Sequence, residues 1–323
     1  MPDSWQPTAG VETARRRATL LSEVHRYFAD QNVLLVDTPT LGRFAASDPQ
    51  TESLLVAAGD GSCRYLQTSP ELFMKRLLAA GYPDIYAIAH VFRDGEEGLR
   101  HATEFTMIEW YRHGFELADI VGDTIGLISQ CLERPALADG PAIVDYAAAF
   151  RDRAGIDVFS DDVTELARRA GADSALSDQL GQDRDAWLDL LLSTLVAPSF
   201  ESEQLTVLQH YPDSQAALAR PCPADSRLAD RFEVFYGDLE LANGYVELTD
   251  ACEQRRRFAA DRSLRGRRGQ AVHAPDPQFL AALSNGLPDC AGVAVGLERL
   301  HMLYDQTSDI RDVLSFATEV PHA

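Results

Sequence analysis

Apolar and polar positions follow two different periods along the chain. From Thr13 to about Asp30, apolar residues recur every three or four positions, which is the spacing of one buried helix face. The run Val33–Val36 that follows is apolar throughout and stops before Pro39, so a short strand is predicted there. Residues 1–12 are expected to be a loose lead-in.

Two β-rich segments lie on either side of a charged loop in the first half of the chain. They are Ile85–Phe92 and Thr103–Arg112, and residues 93–102 join them. This arrangement predicts an antiparallel pair with a polar tip that is suited to holding a ligand. Before this pair, Ser69 and Pro70 carry the signature of a helix start.

The middle of the chain changes character. Residues 135–200 are helical in pattern and rich in Ala, Asp and Arg, with no β signature, which indicates a helical insertion. Strand patterns return afterwards at Leu205–Tyr211, Arg231–Tyr236, Leu239–Leu248 and Cys290–Val295, and a helix is predicted from Gly296.

This order of elements indicates an α+β fold. Strands, then helices, then strands again, without a regular βαβ alternation, predict an antiparallel sheet flanked by helices. We expect one domain over residues 13–323, with the helical insertion at about 135–200 inside it.

Composition narrows the class of partner and the compartment. The chain has 323 residues, with 29 basic against 50 acidic side chains and a net charge of −21, so it lacks the basic footprint of a nucleic-acid-binding protein. Five scattered cysteines suggest neither a disulfide framework nor a zinc site. No apolar run approaches a membrane span, and we expect a cytoplasmic protein.

One carboxylate stands out on the second β segment. Glu109 shares a strand face with Phe105, Met107 and Tyr111, and an unpaired carboxylate is costly to bury there. It is therefore either solvated, part of a core ion pair, or directed at a cation.

Two more carboxylates flank the dipeptide Asn243-Gly244. Glu240 and Glu247 are seven residues apart, so a regular strand would direct them to opposite faces, whereas a bulge at Asn243-Gly244 would bring both to one site. Clustered carboxylates favour a metal or an ammonium ligand. The alternative is that Glu240 and Glu247 are solvent-exposed positions of an ordinary strand. Arg93 and Arg299 suit phosphate oxygens, unless Arg299 is a surface helix residue.

These segments together resemble the class II aminoacyl-tRNA synthetases. The helix, strand and proline at 13–39 resemble motif 1. Phe-Arg with its charged loop and Glu-Phe-Thr-Met-Ile-Glu-Trp-Tyr, at 92–111, resemble motif 2, and Gly-x-x-Arg at 296–299 resembles motif 3. Ser-Pro-Glu at 69–71 and Glu-Leu-Ala-Asn-Gly-Tyr-Val-Glu-Leu at 240–248 are similar to the lysyl subgroup.

The resemblance implies an ATP-dependent, AMP-forming ligase. Motif 1 begins about a dozen residues into the chain, so we expect no anticodon-binding domain. The implied activity is that of a truncated paralogue, which activates (R)-β-lysine or lysine with ATP and Mg²⁺ and transfers it to a lysine of elongation factor P. A homodimer with Pro39 near its two-fold axis is implied, and no tRNA partner is expected.

Two alternatives to this activity remain. One is an adenylate-forming enzyme with a tRNA or small-molecule acceptor. The other is a catalytically inactive, synthetase-like binding protein.

The resemblance also assigns residues. The catalytic arginines are Arg93 and Arg299, and the magnesium ligands are Glu240 and Glu247. The amino-acid site consists of Ser69, Pro70, Glu71, Glu109, Tyr111 and Glu247. The ATP site consists of Arg93, Asp94, Gly95, His101, Ala102, Phe105, Glu240, Leu241, Gly296 and Arg299.

The chain departs from the family pattern at three positions. Gly95 stands where the family has a glutamate that contacts adenine, so either Glu96 substitutes for it or the main chain recognises the base. Ala102 replaces an asparagine. Ala294 replaces a glycine that is common in lysyl-tRNA synthetases, which favours a substrate other than ordinary α-lysine. The arginine cluster at 255–268 is either a solvated helix face, a docking surface for a protein acceptor or a residual RNA contact.

Overall fold

The computed structural model describes residues 5–59 and 61–317, so the predicted lead-in and the end of the predicted domain lie partly outside the described residues. The α-helices are α1 (Val11–Asp30), α2 (Glu71–Ala79), α3 (Leu117–Cys131), α4 (Tyr146–Ala149), α5 (Val163–Arg169), α6 (Ser174–Leu180), α7 (Arg184–Leu191), α8 (Ala251–Arg267), α9 (Pro277–Gly286) and α10 (Leu297–Asp305). π-Helical turns at Phe150–Ala154 and Leu192–Val196 continue α4 and α7. None of the helices in this part of the chain is both long and apolar enough to span a bilayer.

The strands range from two to twelve residues in length. They are β1 (Leu34–Leu35), β2 (Leu41–Gly42), β3 (Leu55–Ala57), β4 (Cys63–Leu66), β5 (Ile85–Phe92), β6 (Glu104–His113), β7 (Ala142–Asp145), β8 (Leu205–Pro212), β9 (Pro221–Cys222), β10 (Asp225–Tyr236), β11 (Leu239–Val246) and β12 (Cys290–Gly296).

The described residues belong to two compact units. The first is drawn from Met1–Gly114, Leu127–Arg134 and Thr249–Ala323, and the second from Phe115–Gly126 and Pro135–Leu248.

Strand β6 is the centre of the sheet in the first unit. It pairs antiparallel with β5, where Ile85 lies opposite Tyr111, and with β12, where Ala294 lies opposite Glu109. Strand β1 adds to β5 in parallel, and β2, β4 and β3 form a separate antiparallel sheet. The predicted antiparallel pair around a charged loop is confirmed.

Helix α1 packs on this sheet through its apolar face. Phe28 is fully buried, with its ring centroid 4.3 Å from that of Tyr86 and 5.3 Å from that of Trp110. On the same helix Arg17 forms an ion pair with Glu298 of α10 at 2.9 Å. The predicted helix is confirmed and begins two residues earlier than expected, at Val11.

Strand β10 is the centre of the second unit. It pairs antiparallel with β8, β9 and β11, and β7 pairs with β8 in parallel. The helical segment packs on β8 around an apolar core that includes Tyr146, Phe150 and Trp187, each at most 1% exposed. The confirmed fold is thus α+β, with mostly antiparallel strand pairing and flanking helices.

One expectation about this unit is wrong, and the bulge considered for β11 lies at a different residue. The segment 135–200 does contain a strand, β7, in which Val144 packs into the core and Ile143 is 57% exposed; four residues are too few for that alternation to be distinctive. The bulge lies at Leu241 instead of Asn243-Gly244, because Ala242 pairs with Val234 whereas Glu240 pairs with Phe235. The extra residue still falls between Glu240 and Glu247.

Candidate active site

A buried carboxylate with two hydroxyl donors forms one end of the site in the first unit. Glu109 on β6 is 3% exposed. Tyr111 donates from its hydroxyl to Glu109 Oε1 at 2.6 Å, and Ser69 donates to Oε2 at 2.7 Å. The period-two pattern accounts for the shared strand face of Glu109 and Tyr111, and the fold brings the turn before α2 to the same carboxylate.

The turn before α2 fixes the second carboxylate of this site. Pro70 is buried in the position just before the helix, and the Glu71 amide donates to Ser69 Oγ at 2.9 Å. One helical turn later, Lys75 lies 1% exposed with its Nζ 2.6 Å from Glu71 Oε1. Ser69, Glu71 and Lys75 thus form one connected group.

The electrostatics of this group favour an added cation. Burial, followed by the charge of Glu71, raises the pKa of Glu109 to about 7, while the hydrogen bonds from Tyr111 and Ser69 and the charge of Lys75 act in the opposite direction. Glu109 is therefore partly protonated near neutral pH, and an ammonium group beside it would favour the ionised form.

At the other end of β6, the ring of Phe105 is covered by an arginine that follows β5. The Arg93 guanidinium lies 5.2 Å from the centroid of the Phe105 ring, and its Nη1 is 3.6 Å from Glu96 Oε1. Gly95 between them has φ of +77°, which a glutamate would adopt only with strain. Backbone geometry therefore accounts for the glycine and brings Glu96 back towards Arg93.

A second arginine lies beside the charged loop. Arg299 Nη2 is 2.8 Å from His101 Nε2, and its Nε donates to the Arg100 carbonyl at 3.2 Å. Ala102 packs against a buried cluster that contains Met302 and Ile310, both from the segment that follows Arg299. The loop between β5 and β6 is thus attached to α10 and the chain after it.

Strand β12 ends at this site with Gly296, and no steric constraint from the protein requires a glycine there. Gly296 has φ of −76°, and a Cβ there would meet the side chain of Arg299 at an ordinary 3.9 Å. Ala294 lies directly opposite Glu109 in the β12–β6 pair, which places its methyl group beside that carboxylate.

A buried arginine is linked to the start of the charged loop through Glu52. The Asp94 amide donates to the Glu52 carbonyl at 2.9 Å. Arg265, fully buried, forms an ion pair with Glu52 and donates to the Asp48 carbonyl at 2.8 Å. In the arginine cluster Arg257 is also buried and bonded to its own helix, so the cluster is only partly a solvated face.

The remaining predicted residues lie in the second unit. Glu240 is half-buried on β11, Leu241 is buried, and Glu247 follows the strand at 3% exposure. Burial, followed by the charge of Glu240, raises the pKa of Glu233 to about 7, and Arg231 pairs with Glu233 at 2.7 Å.

Within the first unit, the predicted residues therefore form two separate groups. Ser69, Pro70, Glu71, Glu109 and Tyr111 form one, and Arg93 to Phe105 with Gly296 and Arg299 form the other. The sequence predicted no role for Lys75, and it placed Arg265 only in the arginine cluster at 255–268. The spacing of four residues between Glu71 and Lys75 is a signal for the first, whereas no local signal exists for the second.

Comparison with known proteins gives one consistent family. The sequence profile described as "tRNA synthetases class II (D, K and N)" matches residues 9–320. The chain is 40% identical over 321 residues to a protein of Photorhabdus laumondii, with 97% of each chain covered, and 39% identical over 320 residues to one of Haemophilus influenzae, with 98% of each covered. A protein of Yersinia enterocolitica is 40% identical over 320 residues, with 97% of each covered. All three relatives are named elongation factor P–(R)-β-lysine ligase.

Proposed function

Because the chain belongs to the class II tRNA synthetase family, we propose that it is an ATP-dependent, AMP-forming ligase. It activates (R)-β-lysine, or lysine, as an aminoacyl-adenylate and transfers it to a lysine side chain of elongation factor P, the reaction that the names of its relatives describe. The observation that carries this proposal is the buried Glu109, held by Ser69 and Tyr111 beside Glu71.

The amino-acid end suits a substrate with two ammonium groups. Lys75 already pairs with Glu71 at 2.6 Å, so Glu71 shares its charge with that side chain. One ammonium group of the substrate is proposed to lie at Glu109 and Tyr111 and the other at Glu71 and Glu247. Ser69, Pro70, Tyr111 and Glu247 complete the proposed amino-acid site. The Ala294 methyl beside Glu109 narrows this end of the site, which favours a lysine isomer other than the common one.

The nucleotide end supplies cations where negative charge develops. In the first step, a carboxylate oxygen of the amino acid bonds to the α-phosphorus of ATP and pyrophosphate leaves. In the second step, the acceptor amine attacks the carbonyl carbon, loses a proton and displaces AMP. Arg93 is assigned to the α-phosphate and Arg299 to the γ-phosphate, while Phe105 stacks on adenine.

The other proposed nucleotide contacts are Asp94, Gly95, His101, Ala102, Glu240, Leu241 and Gly296. Neither the backbone angle nor a protein neighbour requires glycine at Gly296, so close approach of the nucleotide is the reason proposed for it. Glu240 and Glu247 are the proposed Mg²⁺ ligands. This donor set fits, because Mg²⁺ is usually held by one or two carboxylates together with substrate phosphates, whose charge it neutralises.

We further propose a homodimer in the cytoplasm, where a translation factor would be modified, and no tRNA partner. Exposed leucines near Pro39 support the dimer: Leu34, Leu35 and Leu41 are 45%, 50% and 46% exposed. The net charge of −21 supports a protein acceptor over tRNA. Light scattering at micromolar concentration should give twice the mass of one chain; a monomer would contradict the dimer.

Pyrophosphate exchange across a panel of amino acids tests the activity. Exchange should be strongest with (R)-β-lysine or lysine, should disappear in Arg93→Ala, and should persist in Arg227→Ala, an exposed arginine of the second unit. Absence of exchange with every amino acid would favour a catalytically inactive binding protein, the alternative that Gly95 and Ala102 motivate.

Intact-mass measurement of elongation factor P tests the acceptor. The factor should gain the mass of one lysine residue when it is incubated with enzyme, ATP and amino acid. If exchange is observed but the mass stays unchanged, and a labelled amino acid becomes acid-precipitable when tRNA is added, the acceptor is tRNA and this part of the proposal is wrong.

A further inference from the structure

Three side chains of metal-binding type meet in the second unit, where β8, β9 and β10 pair. They are His210, Cys222 and Asp230, and one potential ligand atom of each lies within 4.8 Å of the others. Cys222 and Asp230 are buried, and His210 is partly buried. Within residues 5–59 and 61–317, this is the only such group of three or more His, Cys, Asp or Glu side chains.

The backbone is irregular at this place on both strands. His210 has φ of +58°, an uncommon conformation for a residue with a side chain. Opposite it, the register of β10 shifts between Ala229 and Phe232, so that two residues face one. Such bulges redirect side chains and are enriched at functional sites. Here the bulge places Asp230 beside His210.

Neighbouring groups already orient the two polar side chains. Asp145 Oδ1 lies 2.8 Å from His210 Nδ1, and since a carboxylate accepts, the neutral ring would carry its proton on Nδ1 and its lone pair on Nε2. Arg220 Nε donates to Asp230 Oδ2 at 2.8 Å and also pairs with Glu116. A carboxylate that fixes the tautomer of a histidine ligand is the usual outer partner of a metal site.

We propose that His210, Cys222 and Asp230 bind a divalent cation of the Zn²⁺ type, with water as the fourth ligand. Nitrogen, thiolate and carboxylate donors suit Zn²⁺, and the thiolate and carboxylate together balance its charge. Tetrahedral coordination needs donor atoms roughly 3.3–3.8 Å apart, so a pair of donor atoms at the 4.8 Å limit must close by about 1 Å. The ion would connect strands β8, β9 and β10. The proposal of this metal site does not rest on the proposed ligase activity.

Metal retention tests this proposal directly. Tag-free protein is incubated with Zn²⁺, passed over a desalting column and assayed by mass spectrometry for metal. The wild type should keep about one Zn²⁺ per chain, and Cys222→Ser and His210→Asn should bind at least about tenfold more weakly. Cys131→Ser, which changes another buried cysteine, should bind as the wild type does. No retained metal, or equal retention in Cys222→Ser, overturns the proposal.

A second measurement needs no substitution. The wild type is alkylated with iodoacetamide with and without Zn²⁺, and each cysteine peptide is quantified by mass spectrometry. Zn²⁺ should slow the modification of Cys222 at least about tenfold, because the thiolate becomes a ligand, while the exposed Cys63 reacts unchanged. Equal rates at Cys222, or the same slowing at Cys131, overturn the proposal.

Discussion

Replacing Glu109 with glutamine should stabilise the protein while it weakens amino-acid activation. Glutamine has nearly the same shape and can still accept the Tyr111 hydroxyl, which lies 2.6 Å from the present carboxylate. It carries no charge, however, so the cost of keeping an ionised group at 3% exposure beside Glu71 disappears.

The size and sign of the effect follow from the pKa of Glu109. The rise of this pKa from 4.5 to about 7 corresponds to about 3 kcal/mol. Between these two values the folded protein holds a proton that the unfolded chain has lost, so the stability of the wild type falls as pH rises through this window. Above pH 7 the full cost is present, and below pH 4.5 it is absent.

Urea unfolding at several pH values measures this difference. The free energy of unfolding of Glu109→Gln, relative to the wild type, should increase by about 3 kcal/mol between pH 4.5 and pH 7.5. Glu104→Gln, an exposed position on the same strand, should show no such change. A difference that does not depend on pH, or a glutamine variant that is the less stable protein at pH 7.5, would refute the reasoning.

Three further predictions concern stability and use the same urea assay. Arg265→Gln should lower the free energy of unfolding by about 3 kcal/mol, since the Asp48 carbonyl and Glu52 lose a fully buried donor; the exposed Arg267→Gln is the control, and equal effects would contradict this. Trp187→Ala, at 1% exposure in the core of the second unit, should cost about 3–5 kcal/mol, and a loss below 1 kcal/mol would show that this core is not closely packed. Asp250→Ala should cost about 1 kcal/mol, because its side chain accepts from the first amides of α8; an unchanged midpoint would mean that the cap adds nothing.

Periodicity was sufficient for the parts of the site that lie on one element. The alternation Phe105, Met107, Glu109, Tyr111 correctly predicted the antiparallel strand β6 and one shared face, and Glu109 and Tyr111 are in contact on it. The helix start at Ser69 was equally readable. The contact between Ser69 and Glu109 was not readable, because 40 residues separate them in the sequence and only the tertiary fold brings them together.

Contacts between residues far apart in the sequence were not visible in the local pattern of polar and apolar residues. Arg265 looks like one more residue of a charged helix, yet its partner Glu52 is 213 residues away. The bulge on β11 was also displaced from its expected position, since Asn243 and Gly244 keep regular pairing and Leu241 is the extra residue. Turn-forming residues mark where a strand is able to deviate, but pairing with β10 decides where it does.

The ion pair between Lys75 and Glu71 has a consequence for side reactions. Lys75 is the one lysine in the printed chain, and it is 1% exposed with its ammonium held 2.6 Å from a carboxylate. Aminoacyl-adenylates acylate accessible neutral amines, and the 28 arginines that make up the other basic residues do not react in this way. On the proposed activity, the enzyme therefore presents no exposed lysine amine to its own activated intermediate. Self-acylation at a lysine side chain is thereby avoided, and the lysine that reacts is the one on the acceptor.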